Sequence, residues 1–263
     1  MAHYSIHYHY IKMKISILSS GSKGNSTLIE TNTKNILIDV GLPLSNLEKR
    51  LERSMPKIDI LIITHTHSDH IKGIKSLLKK QHPTIYTLEN NLEEKIEQIE
   101  LITHEKTYEN ENITINLFEL SHDVPCLGAY IKENDNELIY ITDTGYIKEK
   151  LLKQYQNKTI YIIESNYEEE MLMNGSYPFY LKQRIRSDKG HISNEDTCRY
   201  LTKLVGNKTK YICLAHLSEE NNNPNIVKEK VTNTINNLEN NKQNIIICSQ
   251  TEKKEIILWG KIW

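Results

Sequence analysis

Cysteine is scarce in this 263-residue chain, and what there is does not pair. Cys126, Cys198, Cys213 and Cys248 show no short spacing. That excludes a disulfide frame and a cysteine zinc ribbon, and leaves reduced, mostly buried thiols of a cytoplasmic protein. Net charge is missing too: 33 basic residues stand against 34 acidic ones. No global field therefore marks a binder of nucleic acid or membrane, and any contact with a polyanion must come from a local patch. No apolar run approaches a membrane span, and no charged-then-apolar leader opens the chain. Repeats, Pro/Gly/Ser linkers and compositional breaks are also absent, so residues 13–263 are expected to form one domain. Residues 1–12, where His3, His7 and His9 alternate with Tyr4, Tyr8 and Tyr10, read as a disordered extension or an upstream start ahead of Met13. A metal-binding tail is the lesser alternative.

What is present is a series of short apolar strands separated by helical patterns. Strands are expected over 15–18, 27–30, 35–38, 58–63, 84–86, 113–118, 127–131, 137–141, 159–163, 210–214, 245–248 and 255–258. Apolar residues recur at helical spacing over 44–53, 71–80, 92–99, 147–154, 194–205 and 226–238. Mixed meanders and helices predict sheets stacked on each other with helices outside, an α+β architecture.

The stretch that carries most chemistry is His65-Thr66-His67-Ser68-Asp69-His70, directly after the apolar run Ile60-Leu61-Ile62-Ile63. In extended chain His65 and His67 alternate onto one side. Asp69 and His70 then open a helical segment that aims them back at the same point. Imidazole nitrogen and carboxylate oxygen suit zinc, manganese or iron without any thiolate. Three further candidates follow predicted strands: His122 in Ser121-His122-Asp123, Asp143 in Thr142-Asp143-Thr144-Gly145, and His216 in Ala215-His216-Leu217-Ser218. Strand ends are stiff scaffold beside exposed loop, where functional groups concentrate. His82 and His104 lie outside the pattern and read as surface residues.

This order of histidines and aspartates resembles the metallo-β-lactamase fold superfamily from Met13 onward. The resemblance implies an αββα four-layer sandwich, two mixed β-sheets flanked by helices, with two divalent ions at the sheet edge. It also implies that His65, His67 and His122 hold one ion, that Asp69, His70 and His216 hold the other, and that Asp143 bridges them. Zinc or manganese is expected, with iron also compatible. Five further segments narrow the likeness: Ser19–Ser26, Glu164-Ser165-Asn166-Tyr167, Gly175-Ser176-Tyr177-Pro178, Gly190-His191-Ile192-Ser193-Asn194, and His216-Leu217-Ser218 with Asn221-Asn222. They look like the YycJ/WalJ-type subgroup, regarded as metal-dependent 5′-3′ exonucleases on double-stranded DNA and linked to repair.

Two ions sharing a hydroxide would suit phosphodiester cleavage, where positioning and charge neutralisation dominate. Asp69 would orient the attacking water as well as ligate. His191 is the candidate helper outside the ligand set, able to protonate a leaving oxygen. It precedes a Ser-x-x-Asp helix start at Ser193 and Asn194, whose free N–H groups could grip a phosphate; a plain helix cap is the structural alternative. Lys182, Arg184, Arg186 and Lys189 form a local basic cluster that could track a nucleic-acid backbone or simply be a hydrated helix face. Asn166 is a substrate contact by resemblance. The leading expectation is thus a DNA exonuclease. The alternatives are hydrolysis of a small phosphodiester, an RNA end, or a thioester or lactone on the same fold. A non-catalytic DNA-binding or scaffold protein is the reading from another class, disfavoured because buried, unpaired histidines and aspartates are costly without metal.

Overall fold

A computed structural model of the chain describes residues 11–88, 99–101, 106–110, 112–238 and 242–260. Its strands are β1 (Ile11–Ser19), β2 (Ser26–Glu30), β3 (Asn35–Ile38), β4 (Ile60–Ile62), β5 (Thr84–Thr87), β6 (Ile99–Leu101), β7 (Lys106–Glu109), β8 (Ile113–Leu120), β9 (Cys126–Glu133), β10 (Asn136–Ile141), β11 (Ile160–Glu164), β12 (Tyr211–Ala215), β13 (Asn244–Ile247) and β14 (Lys254–Gly260). Its helices are α1 (Leu44–Leu51), α2 (Ser68–Ile71), α3 (Ile74–Leu78), α4 (Glu149–Gln154), α5 (Glu169–Asn174), α6 (Phe179–Ile185), α7 (Asn194–Leu204) and α8 (Pro224–Asn236).

Two mixed sheets of seven strands each result, in the orders β14-β1-β2-β3-β4-β5-β6 and β13-β12-β11-β10-β9-β8-β7. The strands that build the middle of each sheet are buried on both faces, which is why they read as unbroken apolar runs. Alternate residues divide between two cores. Leu138, Tyr140, Ile160 and Ile162 meet Ile15, Ile36, Ile38 and Ile60 between the sheets. Ile139, Ile141, Tyr161 and Ile163 face outward onto the layer of α4, α7 and α8, while Leu28, Leu37 and Leu61 lie under α1 and α3. The layering is helix, sheet, sheet, helix.

Strand direction positions the site. β3 and β4 are parallel, as are β10, β11 and β12. β8 and β10 each run antiparallel to β9, so β8 points the same way as β10. The carboxyl ends of six strands therefore collect on one edge of the sandwich. A backbone hydrogen bond from Leu127 to the Thr64 carbonyl, at 2.9 Å, ties the two sheets together there.

Two expectations shift, and a third falls almost wholly outside the described residues. The single helix over 71–80 is two short helices, because the chain must pass Gly73 against the backbone of Leu42: a Cβ at Gly73 would lie 1.9 Å from the Leu42 carbonyl oxygen. β1 starts at Ile11, so residues 11–12, read as part of the extension, pair with Trp259 and Gly260. The helix expected over 92–99 lies outside the described residues except for Ile99, which belongs to β6. Helices α5 and α6 had no apolar periodicity to announce them, since α5 buries only Leu172 and α6 buries nothing. All four cysteines are buried and free. Among the described residues no helix is long and apolar enough to cross a membrane.

The inter-sheet core sets a stability prediction. Ile162→Ala should lower the unfolding free energy by roughly 2–5 kcal/mol through lost transfer energy and a residual cavity. Thr33→Ala, in an exposed turn, should change it by less than about 0.5 kcal/mol. Denaturant titration of the two variants beside the parent tests this; equal midpoints would refute the core assignment.

Candidate metal centre

Most groups at the crowded edge are delivered by strand ends. Asp39 follows β3, His65 and His67 follow β4, His122 follows β8, Asp143 follows β10, and His216 follows β12. Asp39, Asp143 and His216 all adopt the left-handed backbone region, with φ of 58°, 58° and 54°. That conformation disfavours non-glycine residues and is held only where surrounding structure over-determines it. It turns each side chain sharply off its strand toward the site. Asp69 and His70 sit on α2 and are anchored through their carbonyls: Asn25 donates to Asp69 O and Val40 to His70 O, both at 2.8 Å. Gly41 permits this closeness, since a Cβ there would fall 1.8 Å from Asp69 O.

The resulting geometry gathers all seven predicted residues. Ligand-capable atoms of His65, His67 and His122 lie within 4.8 Å of one another, as do those of Asp69, His70 and His216. Asp143 lies between, with Oδ2 at 3.5 Å from His70 Nε2 and Oδ1 at 3.4 Å from His216 Nε2. A third group joins it to His65 and His70, and a fourth to Glu164, His191 and His216.

Three of the histidines share one arrangement: Nδ1 has an oxygen partner that is not among the seven predicted residues, and Nε2 points inward. His70 Nδ1 is 2.8 Å from Asp39 Oδ2, His216 Nδ1 is 3.0 Å from Glu164 Oε1, and His122 Nδ1 is 3.2 Å from the Gly190 carbonyl. Such partners fix the tautomer that leaves Nε2 as a ligand and make it more basic. The inward atoms include His65 Nε2, His122 Nε2, His216 Nε2 and Asp143 Oδ2, all buried and all without a hydrogen bond. Native structures rarely leave buried polar atoms unpaired, and four converging on one spot need a common explanation. A divalent cation would supply it: the donors are nitrogen and oxygen, three are imidazoles, and a carboxylate lies between the two groups.

Electrostatics point the same way. Burial pushes His65 down to about 2, assisted by the charge of His70, and burial likewise lowers His122. His70 is raised to about 10: burial opposes this, but the charges of Asp39 and Asp143 and a hydrogen bond to Asp39 outweigh it. His216 is raised well above its ordinary value by Asp143, Asp69 and Glu164 against the same burial effect. Asp143 is buried, which alone would raise it, yet the surrounding histidines hold it well below the usual carboxylate range. The site therefore balances carboxylates against positive charge.

Other predicted residues fall differently. His191 is 2.7 Å from Glu164 through Nδ1 and lines a cleft of about 230 Å³ beside His122 and His216. Arg184 and Lys189 line the same cleft, Arg184 in an ion pair with Asp123. Asn166 is buried, donates to the His216 carbonyl at 2.9 Å and also lines this cleft. Ser193 caps α7 by accepting from Asp196 N at 3.0 Å. Asn194 is fully buried against Ser165, Glu168 and Asn222. The expected phosphate grip at Ser193 and Asn194 is thus corrected: the cap is satisfied from within, and Glu195 and Asp196 make the first turn acidic. Lys182 donates to the carbonyls of Met173 and Gly175, and Arg186 pairs with Glu169 at 2.7 Å. Each thus has a protein partner, as Arg184 does. His82 is exposed, and His104 lies outside the described residues.

Five contributors carried no role in the sequence reading: Asp39, Thr64, Asn25, Glu164 and Asp123. Asp39 accepts from the Thr64 N–H and hydroxyl, both at 2.8 Å. Asn25 Nδ2 donates to Asp69 Oδ2 at 3.1 Å, and Asp123 Oδ1 is 3.2 Å from His122 Nε2. A signal existed for Asp39, since it ends a predicted strand just as Asp143 does.

Residues 34–216 match the family model described as the beta-lactamase superfamily domain. The chain belongs to that superfamily. Its relatives in the superfamily include a Streptococcus pneumoniae serotype 2 (strain D39 / NCTC 7466) protein named exodeoxyribonuclease WalJ, 36% identical over 81% of this chain and 84% of the relative. A Bacillus anthracis protein named exodeoxyribonuclease YycJ is 34% identical over 85% of this chain and 89% of its own length. Among solved structures the fold is similar to the metallo-beta-lactamase fold protein YhfI from Bacillus subtilis, with a TM-score of 0.68 and 18% identity, covering 92% of this chain and 99% of that one. The four-layer sandwich is the metallo-β-lactamase fold.

The four shifted histidines fix the pH response of the metal-free chain. His70 and His216, raised in the fold, contribute stability that is complete below 6.5, the ordinary histidine value, and fades as pH rises; for His70 the loss extends to about 10. His65 and His122, lowered in the fold, contribute stability that is complete above 6.5 and fades as pH falls, for His65 toward about 2. Melting temperatures in chelator should peak near pH 6.5, and added divalent ion should restore the alkaline side by replacing protons. A melting temperature flat from pH 5 to 9 with and without ion, roughly the range over which histidines titrate, would contradict the site.

Proposed function

We propose that this chain is a metal-dependent phosphodiester hydrolase, a 5′-3′ exonuclease acting on double-stranded DNA. The observation that carries the reading is the convergence of buried, unpartnered ligand atoms at the inner end of a cleft whose wall holds His191, Arg184 and Lys189. The named activity of two relatives that align over most of this chain supports it. In this reading His65, His67 and His122 hold one divalent ion, Asp69, His70 and His216 the other, and Asp143 lies between. Zinc or manganese fits the all-nitrogen-and-oxygen donor set. When bound, such ions supply an activated water and neutralise charge on the phosphoryl group.

The chain's own groups do the rest. Asp69, steadied by Asn25, presents a carboxylate oxygen that orients the attacking water. Glu164 accepts a hydrogen bond from His191 Nδ1–H, so that His191, when protonated on both ring nitrogens, can give its Nε2 proton to the departing oxygen and be left as a neutral imidazole. Glu164 itself is held below the usual carboxylate range, because the charge of His191 and hydrogen bonds from His191 and His216 outweigh its burial. Arg184 stands across the cleft, ready to exchange Asp123 for a substrate phosphate.

End-labelled single- and double-stranded DNA and RNA, with and without 5′ phosphate, sampled over time with manganese or zinc, tests this. The expected result is stepwise shortening of duplex DNA from the 5′ end; uncut DNA under every condition would overturn it. Asp69→Ala and His216→Ala should lose bound metal and cleavage together. His191→Ala should keep its metal while kcat falls by about 10²- to 10⁴-fold; unchanged turnover would remove His191 from the mechanism.

A further inference from the structure

We propose that α6 carries a base-stacking platform for the single-stranded end of a DNA strand whose phosphate lies in the cleft, an inference that rests on the nuclease reading above. Tyr180 is 73% exposed and Phe179 69%, whereas the next most exposed bulky apolar side chains among the described residues, Met173 and Ile257, reach only 38%. Two adjacent aromatic rings in water on a helix that buries none of its residues are not fragments of a core pattern, and such patches mark contact surfaces.

Their position links them to the site. Tyr180 lies four residues before Arg184 on α6, so the two are neighbours on one side of the helix. Arg184, Leu181 and Ile185 line the cleft that His122 and His191 also line, and Tyr177, just before the helix, lines it as well. A tyrosine in the wall, a tyrosine at the rim and a guanidinium between them and the histidines form a continuous track.

Size and charge identify the occupant. A cleft of about 230 Å³ lies below the roughly 300–1,000 Å³ of sites that take a whole drug-sized molecule, so two paired strands do not fit inside it. Only the terminal nucleotide unit can enter, and its base must leave the stack. Aromatic faces at the rim replace the lost stacking without regard to sequence. Among the residues that line the cleft, Arg184 and Lys189 are cationic and none is acidic, a balance that suits a polyanion once Arg184 gives up its pairing with Asp123.

Steady-state cleavage of end-labelled single-stranded and blunt duplex DNA by the metal-loaded full chain and its Tyr180→Ala, Phe179→Ala and Tyr180→Phe variants decides the matter. Tyr180→Ala should raise KM about tenfold with kcat changed less than about twofold, and Tyr180→Phe, whose ring still stacks, should recover the parent value. Phe179→Ala should raise KM in the same direction. A Tyr180→Ala KM within about twofold of the parent overturns the platform alone and leaves the nuclease reading standing. So does a change in sedimentation without a change in KM, which would assign the face to a second copy of the chain. If the parent chain cleaves no polynucleotide, the nuclease reading fails and takes the platform with it.

Discussion

Four buried side-chain atoms of metal-ligating type, none of them hydrogen-bonded and all converging at one edge of the sandwich, are the constraint around which this molecule is organised. Leaving one such atom unpaired costs about 1–3 kcal/mol, so several together are tolerated only if something outside the chain completes them. Everything near them serves to keep them aimed. Asp39 grips Thr64 and His70, Glu164 grips His191 and His216, and the Gly190 carbonyl accepts from His122. The scaffold pays for this in strained backbone at Asp39, Asp143 and His216.

The two carboxylates behind the histidines divide the site. Asp39, which directly follows β3, holds Thr64 and His70 and does not line the cleft, so its work is rigidity. Glu164 ends β11 and contacts both a candidate ligand, His216, and the cleft-lining His191. It thereby couples the geometry of ion binding to that of the proton donor. Rigid strand ends on one side and a lightly anchored, aromatic-bearing α6 on the other give the cleft one fixed wall and one built from exposed side chains.

Much of this was legible before any coordinates. The His-x-His-x-Asp-His run after an apolar strand, and His122, Asp143 and His216 after three others, are one-dimensional signals, because a strand must end where its apolar run ends. Asp39 carried the same signal without being recognised, for a lone aspartate before Val40-Gly41 looks like an ordinary turn residue. Ser193 and Asn194 misled for the opposite reason. A capping sequence does not say whether its donors are open, and here Ser193 Oγ accepts from the Asp196 N–H and the Tyr167 carbonyl from the Asn194 N–H. Lys182 and Arg186 looked free in sequence, yet nearby carbonyls and Glu169 occupy them.

The sequence alone determined the strand and helix periodicities, the fold family and the chemical type of each candidate ligand, since these follow from local spacing and residue identity. Tertiary structure decided which atoms are orphaned, which nitrogen of each imidazole faces inward, and which polar side chains are already spent on their neighbours. Those properties arise from contacts between residues far apart in the chain, as between Asp39 and His70 or Glu164 and His216. No local pattern encodes them, because hydrogen-bond satisfaction is settled only when all partners are in place.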